Sequence, residues 1–216
     1  MIETGDGSFT LYSHEYDECY HSVKEGAFSE SLMKYVEPAF DMCTKDNILI
    51  LDICFGLGYN TLATIWYFKK QTKVKSMEIF SPELDTELVA SLLSFEYPKE
   101  LNQYKHILKS LMLDGKYEEN GISVSLFIGD ALAYVPTLTS IDVVYQDAFS
   151  PTKNPFLWSI EYFQSIYKIL NDEGVVFSYS IARLVQENLK NAKFEVEKFK
   201  MKNKRHMLIG RKKKRG

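Results

Sequence analysis

The segment 47–53, Asn-Ile-Leu-Ile-Leu-Asp-Ile, constrains the fold more than any other part of this chain. It is almost continuously apolar, which is typical of a strand buried on both faces of a parallel sheet. Two glycines, Gly56 and Gly58, follow it closely, and residues 59–70 then have helical character. A buried strand, a glycine turn and a helix in this order predict one unit of an α/β fold.

The same alternation continues along the chain. Further strands are predicted at 73–79, 123–128, 141–146 and 175–179, with helices beginning at Pro82 and covering 101–112, 160–170 and 185–192. Two closing strands, 194–199 and 205–210, have no helix between them. We therefore predict a mostly parallel, seven-stranded sheet with one antiparallel edge strand and helices on both faces. This domain spans residues 46–210; a β-hairpin and a helix that stops before Pro38 occupy residues 1–45, and 211–216 form a basic tail.

Bulk properties limit the class of protein. The chain is 45% hydrophobic and 25% charged, as expected of a globular domain, and it contains no apolar run near the roughly 18 residues of a membrane span. The N-terminus is polar and does not resemble a signal peptide. Three widely spaced cysteines argue against disulfides and favour the cytoplasm. The four histidines are not spaced as metal ligands, so we predict no metal. The lack of a long apolar run predicts no membrane association, and the size of a single domain favours a monomer.

Charge is distributed unevenly. Residues 198–216 hold ten of the 26 Lys and Arg residues and no acidic residue, although the net charge is −3. A basic end on an acidic body can reach a polyanion, and the residues predicted to contact nucleic acid are Lys202, Lys204, Arg205, Arg211 and Lys212. The alternative is a solvated tail that only aids solubility.

The glycine turn is the first candidate binding site, in the stretch Asp52-Ile-Cys-Phe55-Gly56-Leu-Gly58-Tyr-Asn60. Glycines let the backbone approach a ligand closely, and the following helix offers free N–H groups. Thr61 stands where a dinucleotide fingerprint requires a third glycine, which favours a ligand without phosphates. The alternative is a plain tight turn.

Two acidic residues follow later strands. Glu78 lies 20 residues after Gly58 and is predicted at the carboxyl end of the second strand, where a carboxylate can accept both ribose hydroxyls of an adenosine. Asp130 and Ala131 follow the third strand in the same way. The alternatives are an ordinary strand-end carboxylate for Glu78 and a helix N-cap for Asp130.

The fourth strand is followed by Asp147-Ala-Phe149-Ser-Pro151-Thr-Lys153-Asn154-Pro. Ligands of open α/β sheets bind outside the carboxyl ends of the strands, so Asp147 is predicted to face the site. The prolines stiffen the loop, which makes Phe149, Pro151, Lys153 and Asn154 candidate substrate contacts. The alternative is a rigid surface turn.

These motifs resemble the methyltransferase domain of the MnmC family, the bifunctional tRNA 5-methylaminomethyl-2-thiouridine biosynthesis proteins. Asp147 to Trp158 is similar to the family's D-G-F-A-P-x-K-N-P-x-x-W, and Phe55 to Asn60 to its F-G-x-G-x-N. Gly129-Asp130 and Lys204-Arg205-His-Met-Leu208 match its G-D and its closing K-R-x-M-L. The resemblance runs from about residue 46 to 210 and implies the class I S-adenosylmethionine-dependent methyltransferase fold.

The resemblance also implies chemistry. S-adenosylmethionine would be bound by Asp52, Phe55, Gly56, Gly58, Asn60, Glu78, Asp130, Ala131 and Asp147, with Asp130 near the adenine amino group. The substrate would be 5-aminomethyl(-2-thio)uridine at the tRNA wobble position, methylated on its amine beside Asp147. Cys54 replaces a family glycine, Asp52 a glutamate and Ala148 a glycine. Since these residues match only the methyltransferase domain, we expect a stand-alone methyltransferase without the FAD-dependent activity.

Three other hypotheses remain open on the sequence alone. One is an aminopropyltransferase of the spermidine-synthase type, which shares the fold and binds a polyamine in an acidic pocket. The second is a methyltransferase that acts on a small amine or a protein. The third is a non-enzymatic RNA-binding module that retains only the fold.

Overall fold

A computed structural model describes residues 1–201 and 205–214. Twelve strands are present in this part of the chain: β1 (Ile2–Glu3), β2 (Phe9–Thr10), β3 (Tyr12–Ser13), β4 (Glu18–Cys19), β5 (Asn47–Ile53), β6 (Ser76–Glu83), β7 (Lys116–Glu119), β8 (Ile122–Ile128), β9 (Ile141–Gln146), β10 (Leu170–Ser178), β11 (Glu195–Lys200) and β12 (His206–Arg211). The α-helices are α1 (Ala27–Ser31), α2 (Glu37–Met42), α3 (Tyr59–Phe68), α4 (Thr86–Ser91), α5 (Lys99–Asn102), α6 (Lys105–Asp114), α7 (Ala131–Tyr134), α8 (Ile160–Ile169) and α9 (Arg183–Asn191). None of the described helices is both long enough and apolar enough to cross a membrane.

Eight of the strands form one sheet, in the order β11-β12-β10-β9-β5-β6-β8-β7. The five strands from β10 to β8 are parallel, whereas β12 pairs antiparallel with β10 and β11, and β7 pairs antiparallel with β8. The α/β class and the mostly parallel sheet are confirmed. The prediction of seven strands with a single antiparallel strand at the edge is wrong, because β7 was missed and β12 lies one strand inside the edge.

The apolar strands bury side chains on both faces of the sheet. Ile48 and Ile50 of β5 pack with α3 and α6 on one face. Leu51 and Ile53 of the same strand pack with α8 and α9 on the other. This two-sided burial explains why β5 is a continuous apolar run rather than an alternating one. The sheet and its two helical layers hold the carboxyl ends of β5, β6, β8 and β9 side by side.

The N-terminal segment differs from the prediction at its helix. The predicted hairpin is present as β3 and β4, and β1 pairs with β2 in a second small sheet. The helix does not stop before Pro38: a π-helical turn at Leu32–Val36 joins α1 to α2, and Pro38 lies in the first turn of α2. Proline has no backbone N–H group, and the first turn of a helix requires no N–H hydrogen bond, so proline is tolerated there.

Strand β6 is longer than the sequence pattern indicated. It continues through Pro82 to Glu83, where Pro82 pairs with Phe127, so Pro82 does not begin a helix. Glu78 therefore lies in the first half of the strand, beside Leu49 and Ser123, and not at its carboxyl end. The acidic residue at that end is Glu83.

Candidate active site

A cavity of about 1150 Å³ opens at the carboxyl ends of the parallel strands. Its floor comes from the turns after β5, β6, β8 and β9, and one wall comes from the β3–β4 hairpin and the residues that follow it. The position agrees with the general rule for open α/β sheets. The site is therefore built from both the central sheet and the N-terminal segment.

The turn after β5 has an unusual backbone. Cys54, Gly56 and Gly58 all have positive φ angles, of 65°, 54° and 73°. A Cβ atom on Gly58 would lie 3.0 Å from Cζ of Phe55, so this position requires glycine on two counts. The turn presents the amide of Gly56, which donates a hydrogen bond of 2.7 Å to Oε2 of Glu83.

Asp147 follows β9 and lines the cavity with its carboxyl group held at both oxygens. The Tyr35 hydroxyl donates to Oδ1 at 2.7 Å, and Nδ2 of Asn60 donates to Oδ2 at 2.8 Å. Burial raises the pKa of Asp147, and the charge of Glu30 adds to this, whereas His21 and the two hydrogen bonds lower it. Burial raises the pKa of Tyr35 well above its usual value, so this hydroxyl remains a donor.

Asp52 lies beneath the cavity and is completely buried. It accepts hydrogen bonds from Thr61 Oγ1 at 2.9 Å and Asn60 Nδ2 at 3.2 Å. Burial raises the pKa of Asp52 to about 7, against the effect of these hydrogen bonds. Asp52 thus fixes the start of α3 from below and does not line the cavity.

Glu83 and Asp130 follow the adjacent strands β6 and β8 and both line the cavity. Glu83 also accepts from the amide of Asp85 at 2.9 Å, and burial raises its pKa. Asp130 is exposed and caps α7 by accepting from the amide of Leu132 at 2.8 Å. The N-cap alternative for Asp130 is therefore confirmed, and capping leaves the second carboxylate oxygen available to a ligand.

The β3–β4 hairpin holds the loop after Asp147 in place. Glu18 accepts hydrogen bonds from both the amide and the hydroxyl of Ser150. Tyr16 stacks on Phe149 with ring centroids 4.3 Å apart. Trp158 is buried and donates to the carbonyl oxygen of Phe149 at 2.7 Å, which makes it a core residue that supports the loop.

The structure brings most of the predicted site residues together. The cavity is lined by Phe55, Gly56, Asn60, Asp130, Ala131, Asp147, Phe149 and Asn154. The predicted residues that do not line it are Asp52, Gly58, Glu78, Pro151 and Lys153. Lys153 instead forms an ion pair of 2.8 Å with Asp17 of the hairpin. Lining residues that the sequence reasoning missed include Tyr16, Tyr20, His21, Glu83 and Phe156.

Two of the basic residues predicted to contact nucleic acid, Arg205 and Arg211, lie at opposite ends of strand β12. Arg205 precedes β12 on the edge that carries the cavity and forms an ion pair with Glu25. Arg211 ends β12 beside Val175, towards the other edge. Lys212 is buried, donates to the carbonyl oxygen of Leu170 and lies over the Tyr167 ring, so its prediction as a phosphate contact is wrong. Lys202 and Lys204 lie outside the described residues.

The cavity lining is acidic. Among the described residues it contains eight carboxylates and neither lysine nor arginine: Glu15, Glu18, Glu30, Glu83, Asp85, Glu87, Asp130 and Asp147. Such a lining attracts a cation or an amine and disfavours a phosphate group. A nucleotide substrate would have to bind its phosphates outside the cavity.

Comparisons with known proteins agree with this geometry. A sequence model of the family described as S-adenosyl-L-methionine-dependent methyltransferase matches residues 95–213, more than half of the chain. The crystal structure of MnmC2 from Aquifex aeolicus superposes with a TM-score of 0.81 at 30% identity, over 96% of this chain and 68% of that one. The predicted fold and the resemblance to the MnmC methyltransferase domain are both confirmed.

Curated relatives are longer than this chain. An uncharacterised protein of Methanocaldococcus jannaschii is 32% identical over 84% of this chain and 50% of its own length. The tRNA 5-methylaminomethyl-2-thiouridine biosynthesis bifunctional protein MnmC of Pseudoalteromonas atlantica is 27% identical over 97% of this chain and 34% of its own length. The chain thus spans about half of the first relative and a third of the second.

The residues present suit S-adenosylmethionine. Glu83 stands at the strand end where a carboxylate can take ribose hydroxyls, and Asp130 stands at the next strand end. Oδ1 of Asn60 is buried at the cavity wall and accepts no hydrogen bond from the described residues, which leaves an acceptor for an ammonium group. The acidic lining suits a cofactor that carries no phosphate. The chain belongs to the family of S-adenosyl-L-methionine-dependent methyltransferases.

Proposed function

We propose that this protein methylates the primary amine of 5-aminomethyl(-2-thio)uridine at the wobble position of tRNA, in the cytoplasm and as a monomer. The observation that carries the proposal is Asp147, whose carboxyl group is held at both oxygens on the floor of a cavity rich in carboxylates. The likeness to MnmC and MnmC2 proteins supports the choice of substrate.

The bound cofactor supplies a methyl group on a positively charged sulfur. Glu83 and Asp130 would hold its ribose and adenine, and Asn60 its ammonium group. Asp147 would orient the substrate amine, since each carboxylate oxygen retains a lone pair after accepting from Tyr35 or Asn60. Alignment of the amine is the main task of such a site, because a positioned reaction gains several orders of magnitude in rate.

The uridine itself would be held by aromatic residues and the loop after Asp147. One face of Phe149 is already covered by Tyr16, so Phe149 supports the loop and offers an edge at most. Phe156 lines the cavity and is 70% exposed. We therefore assign the stacking of an extruded base to Phe156, with Asn154 beside it.

A second candidate function is aminopropyl transfer to a polyamine. The eight carboxylates of the cavity favour it, because a polyamine carries several positive charges. Several of them are already engaged: Glu18 with Ser150, Glu30 with Lys34, and Asp85 with the amide of Leu88. This leaves fewer free carboxylates along the cavity than the count suggests.

The decisive assay measures transfer of labelled methyl from S-adenosylmethionine to tRNA from a strain that lacks this modification. Nucleoside analysis should place the label in 5-methylaminomethyluridine. We expect Asp147→Ala to lower kcat/KM at least 100-fold, with Asp147→Asn retaining more activity because it keeps the side chain's shape.

Asp46→Asn provides the matched control, since Asp46 is an exposed carboxylate that precedes β5 at the opposite edge of the sheet. It should retain full activity. A second reaction with decarboxylated S-adenosylmethionine labelled in its aminopropyl group tests the other candidate. Label in spermidine-type products there, and no methyl label in tRNA, would replace the proposal by the second candidate.

A further inference from the structure

Methyl transfer to an amine needs a proton acceptor that Asp147 does not readily provide. A simple alkylamine has a pKa near 10, so the substrate arrives mainly as an ammonium ion and must lose a proton before it can attack. Asp147 already accepts two hydrogen bonds, and a carboxylate beside the amine stabilises the ammonium form. Another group near the cavity must take the proton.

His21 lies in the cavity wall two residues after β4. Its side chain is largely buried, and its backbone amide donates to Oγ1 of Thr10 at 3.1 Å. The imidazole ring meets the Tyr59 ring edge to face at 5.0 Å between centroids. These contacts fix the position of the ring beside the cavity.

Glu30 stands behind the histidine. Oε2 of Glu30 lies 3.6 Å from Nδ1 of His21 and accepts from the amide of Ser22 at 2.8 Å. Oε1 of Glu30 pairs with Lys34, which also contacts Glu25 at 3.0 Å. Burial by itself would raise the pKa of Glu30, but His21 and Lys34 outweigh it and hold the pKa well below its usual value. Glu30 is therefore a carboxylate that contacts His21 through one oxygen and Lys34 through the other.

We propose that His21, oriented by Glu30, accepts the proton of the substrate ammonium group before methyl transfer. One N–H bond of the ammonium breaks, its electron pair stays on the amine nitrogen, and the proton forms a new N–H bond on the imidazole. The resulting imidazolium charge is offset by Glu30, as a carboxylate behind a histidine generally does. This inference rests on the proposed function, because it requires an amine substrate.

Charged and titratable groups reach His21 from every neighbouring element. Glu30 comes from α1 and Tyr59 from α3. Asp147 after β9 and Asp52 at the end of β5 both interact electrostatically with His21. Lys34 lies beyond Glu30 and pairs with its other carboxylate oxygen.

The test is the pH dependence of kcat for the wild type and His21→Gln with aminomethyl-containing tRNA. We expect His21→Gln to lower kcat about 100-fold at pH 7, in the usual range for loss of a general base. Its activity should then rise steadily with pH, because more substrate arrives as the neutral amine, and added imidazole should restore part of the rate. The Kd for S-adenosylmethionine, measured by calorimetry, should not change.

His106→Gln is the matched control: His106 is exposed on α6 and is not among the residues that line the cavity, and this variant should keep the wild-type profile. A His21→Gln protein with wild-type kcat and pH profile would overturn this inference and leave the proposed function standing. So would a wild-type kcat that rises steadily with pH to about 10, as expected if the amine loses its proton to solvent without a general base; this result does not depend on any variant folding. A wild type that binds S-adenosylmethionine but methylates no tRNA would overturn the proposed function, and this inference with it.

Discussion

The side-chain amide of Asn60 donates hydrogen bonds to two carboxyl groups. Its Nδ2 donates to Asp147 at 2.8 Å and to Asp52 at 3.2 Å, so it links the reactive carboxyl of the cavity to the buried one beneath it. Asp52 lies within β5 in register with Tyr145, whereas Asp147 follows the end of the neighbouring strand β9. Burial raises the pKa of both, and each has a distinct role: Asp52 supports α3, and Asp147 faces the cavity.

Asp52 makes stability depend on pH. Its pKa is about 7 in the folded protein, and the unfolded chain loses this proton near pH 4. Between these values unfolding releases a proton, so the contribution of Asp52 lowers the free energy of unfolding as pH rises, by up to about 1.4 kcal/mol per pH unit, and is constant above pH 7. Urea unfolding of Asp52→Asn should show a variant that gains on the wild type between pH 5 and 7. A pH-independent difference would contradict the assignment.

Cys54 occupies a left-handed backbone position that normally suits glycine. A non-glycine residue there costs roughly 1–2 kcal/mol, whereas glycine costs about 0.5–1 kcal/mol of chain entropy on folding. These effects nearly cancel, so Cys54→Gly should change the free energy of unfolding by less than about 1 kcal/mol. Cys54→Val should lose about 1–3 kcal/mol, because a β-branched residue tolerates positive φ poorly. Equal stabilities of the two variants would refute this reading.

At the scale of elements, the hairpin β3–β4 and the loop after Asp147 form one wall of the cavity. Glu18 is the main link, because it accepts from both the amide and the hydroxyl of Ser150. We expect Glu18→Ala to speed hydrogen exchange at the Ser150 amide and to raise KM for tRNA.

Lys153→Ala is the comparison for this variant. Its ion pair with Asp17 is exposed, and such pairs contribute at most about 1 kcal/mol. Its exchange rates and KM should stay near those of the wild type. If Lys153→Ala changed exchange and KM as much as Glu18→Ala does, the Lys153–Asp17 ion pair would be the main contact between the hairpin and the loop.

The central strands were predictable from local pattern, and the ends of elements were not. Strands β5 and β9 were predicted with their observed bounds because buried parallel strands are apolar throughout. Strand β6 is predicted too short because Pro82 suggests a helix start, and the candidate ribose carboxylate is therefore placed at Glu78 and not at Glu83, which ends the strand. Strand β7 is polar and was missed, although the Asn120-Gly121 turn that leads into β8 was a readable hairpin signal.

The candidate site also contains residues that a local motif marks and residues that only tertiary packing brings to the site. Asp147 and Asp130 follow strands, and Asn60 lies in the first turn of α3 within the glycine motif, so local patterns mark all three. Tyr35 and His21 are not marked by the sequence, because Tyr35 reaches Asp147, and His21 the cavity, through tertiary packing of the N-terminal segment that no local pattern encodes. Lys212 was misassigned for a related reason: composition marks it as basic, but its pairing beside β10 buries it.

For the whole molecule, the direction of β12 decides which basic residues can help to bind tRNA. Lys198 and Lys200 are exposed towards the end of β11 on the cavity edge, whereas Lys213 and Lys214 follow β12 towards the opposite edge. Replacing Lys198 and Lys200 by alanine should weaken tRNA binding and lower the salt slope by about one per lost phosphate contact. The Lys213 and Lys214 double variant should bind nearly as the wild type does. The reverse order would show that the tail reaches the RNA.

The contacts that surround Asp147 also set the order in which the molecule can assemble. Tyr35 and Asp147 are 112 residues apart, and Glu18 and Ser150 are 132 apart, whereas β5, α3 and β6 are neighbours in the chain. Closing such long loops costs entropy before their contacts are made, which slows folding. The part of the cavity built on β5 and β6 can therefore form from local contacts, and the opposite wall is completed only when the N-terminal segment has met the loop after β9.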